Sequence, residues 1–239
     1  MDEKITVMIP ARGGSKGLPR KNLRSLAGTP LLGHSLIAAK GSAYVSEIYI
    51  STDDDFIDSY AANHGVGVLR HPAELSADDR PSFPVIQWMV SHLTREGRRP
   101  DLCVILRATA PLRTSYDIDS AIELYRSRKG IDSVASVVSA VGINPTKLKR
   151  VLPAGFLVDA LEPEGPFPTR RQDGGDYYVR NEAIYVVRPK VIESGSLWGE
   201  KCVAYLMPEE RSININTEFQ FTVADLIMRS RTESRLANS

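Results

Sequence analysis

Apolar positions along the chain fall into short continuous runs that alternate with stretches of helical spacing. The first run, Ile5-Thr6-Val7-Met8-Ile9, is β-branched and ends at Pro10. Unbroken apolarity of this kind marks a strand covered on both faces. Thr29-Pro30 predicts the opening of a helix whose Leu32, Leu36 and Ala39 share one face. Glu47–Ser51 reads as a second strand, Asp53–Asp55 as the start of the next helix, and Val66–Leu69 as a third strand. Val85, Ile86, Met89, Val90 and Leu93 recur at helical spacing, and Leu102–Leu106 is a fourth strand. Ile118, Ala121, Ile122 and Tyr125 mark another helix, followed by the β-branched strand Asp132–Ser139. Regular alternation of strand and helix predicts a parallel sheet with helices on both faces.

The pattern breaks after Gly142. Five of the 15 prolines fall between Pro145 and Pro168, and no period survives there. Ordered-looking sequence resumes at Asn181–Val187, so the segment at about 140–180 reads as an excursion from the sheet rather than a linker. Val203–Met207 is a late strand, and Phe219, Val223, Leu226 and Ile227 mark a last helix, with a polar tail from Arg229 expected to fray.

Composition narrows the class without naming it. The 239 residues carry 30 Lys and Arg against 29 Asp and Glu, a net charge of +1. These values exclude a disordered or fibrous chain and argue against a dedicated nucleic-acid binder. No window approaches the apolar length of a transmembrane helix, and the start MDEKITVMIP lacks a signal-peptide core. Two widely separated cysteines, Cys103 and Cys202, suggest a reducing compartment, so a cytoplasmic protein is expected.

Charge is informative locally. Directly after the first strand come Arg12, Gly13, Gly14, Ser15, Lys16, Gly17, Arg20, Lys21, Asn22 and Arg24, with no acid between Arg12 and Arg24. Ligands of open α/β sheets bind beyond the carboxyl ends of strands. Glycines let backbone N–H groups converge on an anion, and Lys and Arg complete a polyphosphate site. The order Gly-Gly-Ser-Lys-Gly is not a Walker A loop, and no GxGxxG opens a helix, which excludes the familiar dinucleotide fingerprint. Arg20 and Arg24 read equally well as ligands or as surface charges.

The run IPARGGSKGLPRKN resembles the nucleotide-binding loop of the acylneuraminate cytidylyltransferases, or CMP-sialic acid synthetases, a family that includes enzymes for legionaminic and pseudaminic acids. Six further segments match in order. These are Gly33-His34-Ser35, Ile50-Ser51-Thr52-Asp53, Pro72-Ala73-Glu74-Leu75 with Asp78-Asp79, Arg107 to Arg113, Arg171-Gln172-Asp173 with Asn181 to Tyr185, and Ser212 to Glu218. The resemblance covers most of the chain. It implies a single α/β domain over residues 1–239, with a mixed, mostly parallel sheet of the nucleotide-diphospho-sugar transferase type. It also implies CMP transfer from CTP to the anomeric hydroxyl of a 2-keto nonulosonic acid, with pyrophosphate released. A homodimer joined through the excursion is expected.

By resemblance, Arg12, Gly13, Ser15, Lys16, Lys21 and Asn22 would hold the triphosphate, with Arg12, Lys16 and Lys21 carrying the catalytic charge stabilisation. Arg70 and His71 would lie by the base. Arg107, Thr109, Arg171, Gln172, Tyr178 (or its neighbour Tyr177), Asn181 and Tyr185 supply the cation, amide and aromatic chemistry a sugar acid needs.

Three departures qualify this picture. Two family aspartates associated with Mg²⁺ (or Mn²⁺) are Asn214 and Asn216 here, which should weaken metal binding without abolishing it. Thr217-x-x-Gln220 also fits a helix capping box. The arginine before Pro-Ala-Glu-Leu is His71, so Arg70 is its candidate substitute. Arg107 replaces a glutamine and Glu182 a glycine, which should change the preferred sugar. The rival readings are the same fold with another NTP or sugar acid, and a weakened relative that binds nucleotide without turnover.

Overall fold

The structure is a computed structural model that describes residues 3–14, 18–76, 82–140, 145–161 and 177–237, with side chains to residue 233. In chain order, β1 (Ile5–Pro10) leads into the basic loop and a short hairpin, β2 (Ser25–Leu26) and β3 (Thr29–Pro30). Then follow α1 (Leu31–Lys40), β4 (Glu47–Thr52), α2 (Asp55–Asn63), β5 (Gly67–Arg70), α3 (Phe83–Arg95), β6 (Leu102–Leu106), α4 (Ser115–Ser127) and β7 (Ser133–Ser139). A second hairpin, β8 (Lys149–Val151) with β9 (Leu157–Asp159), precedes β10 (Tyr178–Val187), α5 (Pro189–Glu193), β11 (Cys202–Leu206) and α6 (Glu218–Ala237).

Seven strands form one sheet in the order β11-β7-β10-β6-β1-β4-β5. β1 runs parallel to both β4 and β6, β4 to β5, and β11 to β7. β10 alone runs antiparallel, pairing with β6 and β7. The sheet is therefore mixed and mostly parallel, and its helices cover both faces. Val7 and Ile9 pack with Leu32 and Leu36 of α1, Ile57 of α2, and Ile118 and Ile122 of α4. Met8 packs with Ile86, Met89 and Leu93 of α3 and Ile192 of α5 on the opposite face. The unbroken apolarity of β1 and β6 follows from this two-sided burial.

Two expectations need correction. Pro30 lies in β3 as the residue capping α1, not inside the helix, because its ψ of 143° is extended. The tail after Arg229 does not fray at once: α6 continues to Ala237. Arg229 Nε donates to Asp225 Oδ2 one turn back at 2.6 Å, and Arg231 donates to the Leu112 and Glu210 carbonyls at 3.2 and 2.7 Å. These bonds give the polar face of the helix fixed partners. The start of α6 matches its reading: Thr217 Oγ1 accepts from Gln220 N at 3.2 Å, and Gln220 Oε1 accepts from Thr217 N at 3.0 Å.

A third, smaller apolar cluster joins Leu18, Leu26, Leu31 and Leu112 to Ile215, Phe221 and Ala224. It matters for function because it seats the end of the basic loop against residues 213–221. Excursion residues 141–144 and 162–176 lie outside the described residues; Ala140 N donating to Tyr177 O at 2.8 Å closes its base.

Candidate active site

The sheet reverses direction of growth at β1, with β4 on one side and β6 on the other. At such a switch point the loops after adjacent strands part and leave a crevice. Here the crevice is a cleft of about 270 Å³ between Pro10, Ala11 and Arg12 after β1 and Arg107, Ala108 and Thr109 after β6. Gly14, Lys21, Asn22, His71, Ser82, Glu182 and Asn216 contribute to its wall. A second lobe of about 220 Å³ shares Ser82, Arg107 and Glu182 with the first and extends to Arg180, Tyr185 and Trp198.

The loop after β1 is held from behind. Gly13 N donates to Asp53 Oδ1 at 2.8 Å. Burial alone would raise the Asp53 carboxyl, but the hydrogen bonds from Gly13 and Ser76 hold it below its ordinary value. Asp54 caps α2 by accepting from Phe56 N and Ile57 N at 2.8 and 3.0 Å. A Cβ on Gly13 would stand 2.7 Å from the Asp54 Cβ, so glycine is needed there for close approach. Asn22 Nδ2 donates to Arg12 O at 2.9 Å and sets the far side of the loop.

Lys21 is the hub. Its Nζ donates to Ile215 O at 2.9 Å, while Ile215 N donates to Thr109 O at 2.7 Å. The backbone at 215 is thus clamped between the basic loop and the exit of β6. Burial and the neighbouring Arg12 charge push the Lys21 ammonium below its ordinary pKa, partly opposed by Glu182. An incoming anion would relieve that strain.

Arg107 reaches Ser82 Oγ through Nη1, and its Nε is buried with no hydrogen-bond partner. Its backbone is fixed by Arg113, which is 3% exposed and donates to Arg107 O, to Ala183 O at 2.9 Å and to Ser35 Oγ at 2.8 Å. In the second lobe the Arg180 guanidinium lies 4.3 Å from the Trp198 ring centre, and Tyr185 meets Trp198 edge-on at 5.6 Å. Stacked cation and aromatic faces suit a polyhydroxylated anion.

His71 is buried, with Nδ1 2.7 Å from Ser51 Oγ and Nε2 2.9 Å from Ser76 Oγ. Burial lowers its pKa below 6.5, against the opposing pull of Asp53. Between that lowered value and 6.5 the unfolded chain binds a proton that the folded chain does not, so stability falls as pH falls through this window. His71→Gln is expected to flatten that acid limb in denaturant titrations between about pH 5 and 7. An unchanged limb would show that His71 titrates alike in both states.

Of the residues singled out in the sequence, the main lobe brings together Arg12, Lys21, Asn22, His71, Arg107, Thr109 and Asn216, while Tyr185 lines the second. Gly13 stands behind the loop. Arg70 is not brought in: its guanidinium is drawn to Asp55 and Asp58 on the exposed side of α2. Asn181 is not available to a sugar here. It is 3% exposed, donates to Ser212 Oγ at 2.9 Å and accepts from Ser136 Oγ at 2.6 Å, pinning β10 to its neighbours. Tyr178 is half-exposed at the start of β10, away from both lobes. Arg24 pairs with Glu218 at 2.6 Å and covers the Phe221 ring, so it anchors α6. Arg20 lies over Phe56, outside the lining of either lobe. Ser15, Lys16, Arg171 and Gln172 fall outside the described residues. Sequence reasoning missed Asp53 as loop anchor, Ser82, Arg180 and Trp198. Only Trp198, one of two tryptophans and flanked by Gly195 and Gly199, left any mark in the sequence.

The same cleft can be set beside known proteins. Residues 6–207 match the family described as cytidylyltransferase. The chain belongs to that family. Among its cytidylyltransferase relatives, N-acylneuraminate cytidylyltransferase A of Danio rerio is 33% identical over 224 residues, 92% of this chain and 50% of the relative. The N-acylneuraminate cytidylyltransferase of Streptococcus agalactiae is 31% identical over 221 residues, 91% of this chain and 52% of the relative. The chain thus spans about half the length of the curated relatives it matches. A solved CMP:2-keto-3-deoxy-manno-octonic acid synthetase complexed with CTP superposes with a TM-score of 0.70 at 18% identity, covering 96% of this chain and 100% of that one. A 4-diphosphocytidyl-2C-methyl-D-erythritol synthase does so with a TM-score of 0.70 at 12% identity, covering 95% and 99%. Both likenesses bear out the nucleotidyltransferase fold. Among the described residues no helix is long and apolar enough to cross a membrane.

Proposed function

We propose that this chain transfers CMP from CTP to the anomeric hydroxyl of a sialic-acid-like nonulosonic acid and releases pyrophosphate. The observation that carries the reading is the cation-lined cleft at the β1/β6 switch point, with Lys21 tying its two walls together. The names of the family relatives support the choice of reaction and acceptor. In this reading the triphosphate lies along the loop after β1, and Arg12, Lys21 and Asn22 hold it. The sugar acid occupies the second lobe, its carboxylate toward Arg107 and its ring against Tyr185, Trp198 and Arg180. The anomeric hydroxyl oxygen forms a bond to the α-phosphorus as the bond to the β-phosphate oxygen breaks, and the hydroxyl proton passes to water. Lys21 and Arg12 stabilise the charge that collects on pyrophosphate, so catalysis is positioning plus electrostatics. Ser15 and Lys16 complete the phosphate contacts, and Arg171 and Gln172 the acceptor contacts.

Mg²⁺ or Mn²⁺ fits the donors present as a partner shared with phosphate, not as a protein-caged ion. Among the described residues no cluster of three or more His, Cys, Asp or Glu could hold a metal. Asn214 Oδ1, however, is buried without a partner, and the Asn216 amide and the Glu182 carboxylate line the cleft. When bound, such an ion would neutralise phosphate charge. We also read residues 1–239 as one nucleotidyltransferase domain of a cytoplasmic homodimer. Exposed Val151, Phe156, Leu157 and Leu161 on and beside the β8–β9 hairpin would face the second copy.

Four NTPs offered against several nonulosonic acids, with pyrophosphate release as readout, test the reaction. CTP with at least one such acid should exceed the other nucleotides by tenfold or more, well within the discrimination of about 10⁴-fold open to a site that hydrogen-bonds one base. A different preferred NTP would move the function to the rival reading that His71 and Arg107 suggest.

A further inference from the structure

Glu182 is held in an uncommon backbone conformation. Its φ is +56°, and the pairing of β10 with β7 shifts register between Arg180 and Tyr185. The left-handed region disfavours a long side chain, and a residue kept there is over-determined by its surroundings. The bulge brings the carboxylate to the junction of the two lobes. Among the described residues lining the main lobe Glu182 is the only acid, sharing it with Arg12, Lys21 and Arg107. A carboxylate beside a triphosphate repels it unless a cation lies between them.

Its neighbours are suited to such a cation. Asn214 Nδ2 donates to Glu182 Oε2 at 3.3 Å, and this orientation leaves Asn214 Oδ1 buried with no hydrogen-bond partner. An unpaired buried amide oxygen is costly, and a ligand would satisfy it. Asn216 lines the same lobe, and the Lys21 clamp on Ile215 fixes the segment between the two asparagines. The Glu182 carboxylate and the Asn216 amide oxygen, joined by Asn214 Oδ1 once that amide turns from its hydrogen bond to Glu182, make an oxygen-only donor set for a hard divalent cation that keeps its other positions for phosphate and water. The acid at 182 and the amides at 214 and 216, far apart in sequence, are therefore one arrangement.

We propose that Glu182 supplies the charged ligand of a divalent-cation site in this cleft, with the Asn214 and Asn216 amide oxygens as its neutral partners. The proposal rests on the reading of the cleft as a nucleoside triphosphate site. The test is Mn²⁺ binding to the full chain, read by electron paramagnetic resonance with a non-hydrolysable CTP analogue present. Binding of the analogue alone is measured separately, without metal. Glu182→Gln is expected to weaken Mn²⁺ binding by about 10- to 100-fold, at least the loss typical of an outer-shell partner. Metal-free analogue binding should stay equal or tighten, because a repulsive charge has gone. Adding Asn216→Asp to Glu182→Gln should restore Mn²⁺ binding. Glu182→Gly, which relieves the left-handed conformation, should lose the metal while its melting temperature holds or rises, so that metal loss is separated from unfolding. Unchanged Mn²⁺ affinity in Glu182→Gln with the analogue still bound overturns the proposal alone, as does a loss that Asn216→Asp does not repair. Failure of the unaltered chain to bind the analogue overturns the reading of the cleft, and this proposal with it.

Discussion

Replacing Lys21 with alanine is expected to lower kcat by about 10²- to 10³-fold, the loss seen when one donor to a developing oxyanion is removed. Three observations make Lys21 the most sensitive position in the cleft. It lines the same cleft as Arg107, it is held by Ile215 O, and burial with the adjacent Arg12 primes its ammonium for an anionic partner. One hydrogen to Ile215 O leaves two ammonium donors for phosphate. The fold should survive, because one partly buried hydrogen bond is worth about 1 kcal/mol. The effect should fall on kcat more than on KM, since the charge it meets grows as pyrophosphate leaves. Lys21→Arg should recover little, because a planar fork cannot reproduce the point charge and the clamp together. An alanine variant with unchanged kcat would remove Lys21 from the chemistry.

The largest stability effect is expected at Arg113. This side chain is buried, and its guanidinium binds the carbonyls of Arg107 and Ala183 and the Ser35 hydroxyl. Burial pushes its pKa down to about 9, and the Asp117 charge opposes that shift only in part. Arg113→Leu would remove three hydrogen bonds at once, to Ala183 O, Ser35 Oγ and Arg107 O, of which Arg107 O keeps Ala110 N and Ser35 Oγ as donors; each buried acceptor left short costs about 1–3 kcal/mol. A total loss of about 3–5 kcal/mol is therefore expected in urea unfolding, a third or more of the stability of an ordinary domain. Arg113→Lys should be nearly as damaging, because a single ammonium cannot span α1, the exit of β6 and β10. The two carbonyls belong to Arg107 and to the residue after Glu182, so the same change should also blur the junction of the lobes. A loss below about 1 kcal/mol would mean that water replaces the guanidinium at those carbonyls.

How far the chain could be read in advance depended on the range of the interaction. β1 and β6 were legible because each is a nearly continuous apolar run whose burial is written in its own residues, and β4 from its Ile48-Tyr49-Ile50 centre. The reversed direction of β10 was not, because Asn181–Val187 is equally apolar whichever way it runs; only its pairing with both β6 and β7 sets the sense. The basic loop was legible from charge and glycine, whereas its anchor, Asp53 on Gly13, depends on a contact across 40 residues. Arg70 and His71 show the limit of adjacent candidates. On a strand end, successive side chains point to opposite sides, so His71 enters the cleft while Arg70 turns to Asp55 and Asp58. Asn181 and Tyr178 line neither lobe, and a β bulge at Glu182 redirects the strand just beyond them. The substitutions at 182, 214 and 216 were each visible, but their contact was not.

The proposed reaction is defined by which bond of the nucleotide breaks. Incubating the chain with CTP and N-acetylneuraminate or a related nonulosonic acid, and following the mixture by phosphorus NMR, addresses it directly. The CTP signals are expected to fall with matched growth of pyrophosphate and of a single phosphodiester joining CMP to the sugar. Release of orthophosphate with CDP, or consumption of CTP that does not depend on the sugar acid, would contradict the proposed reaction.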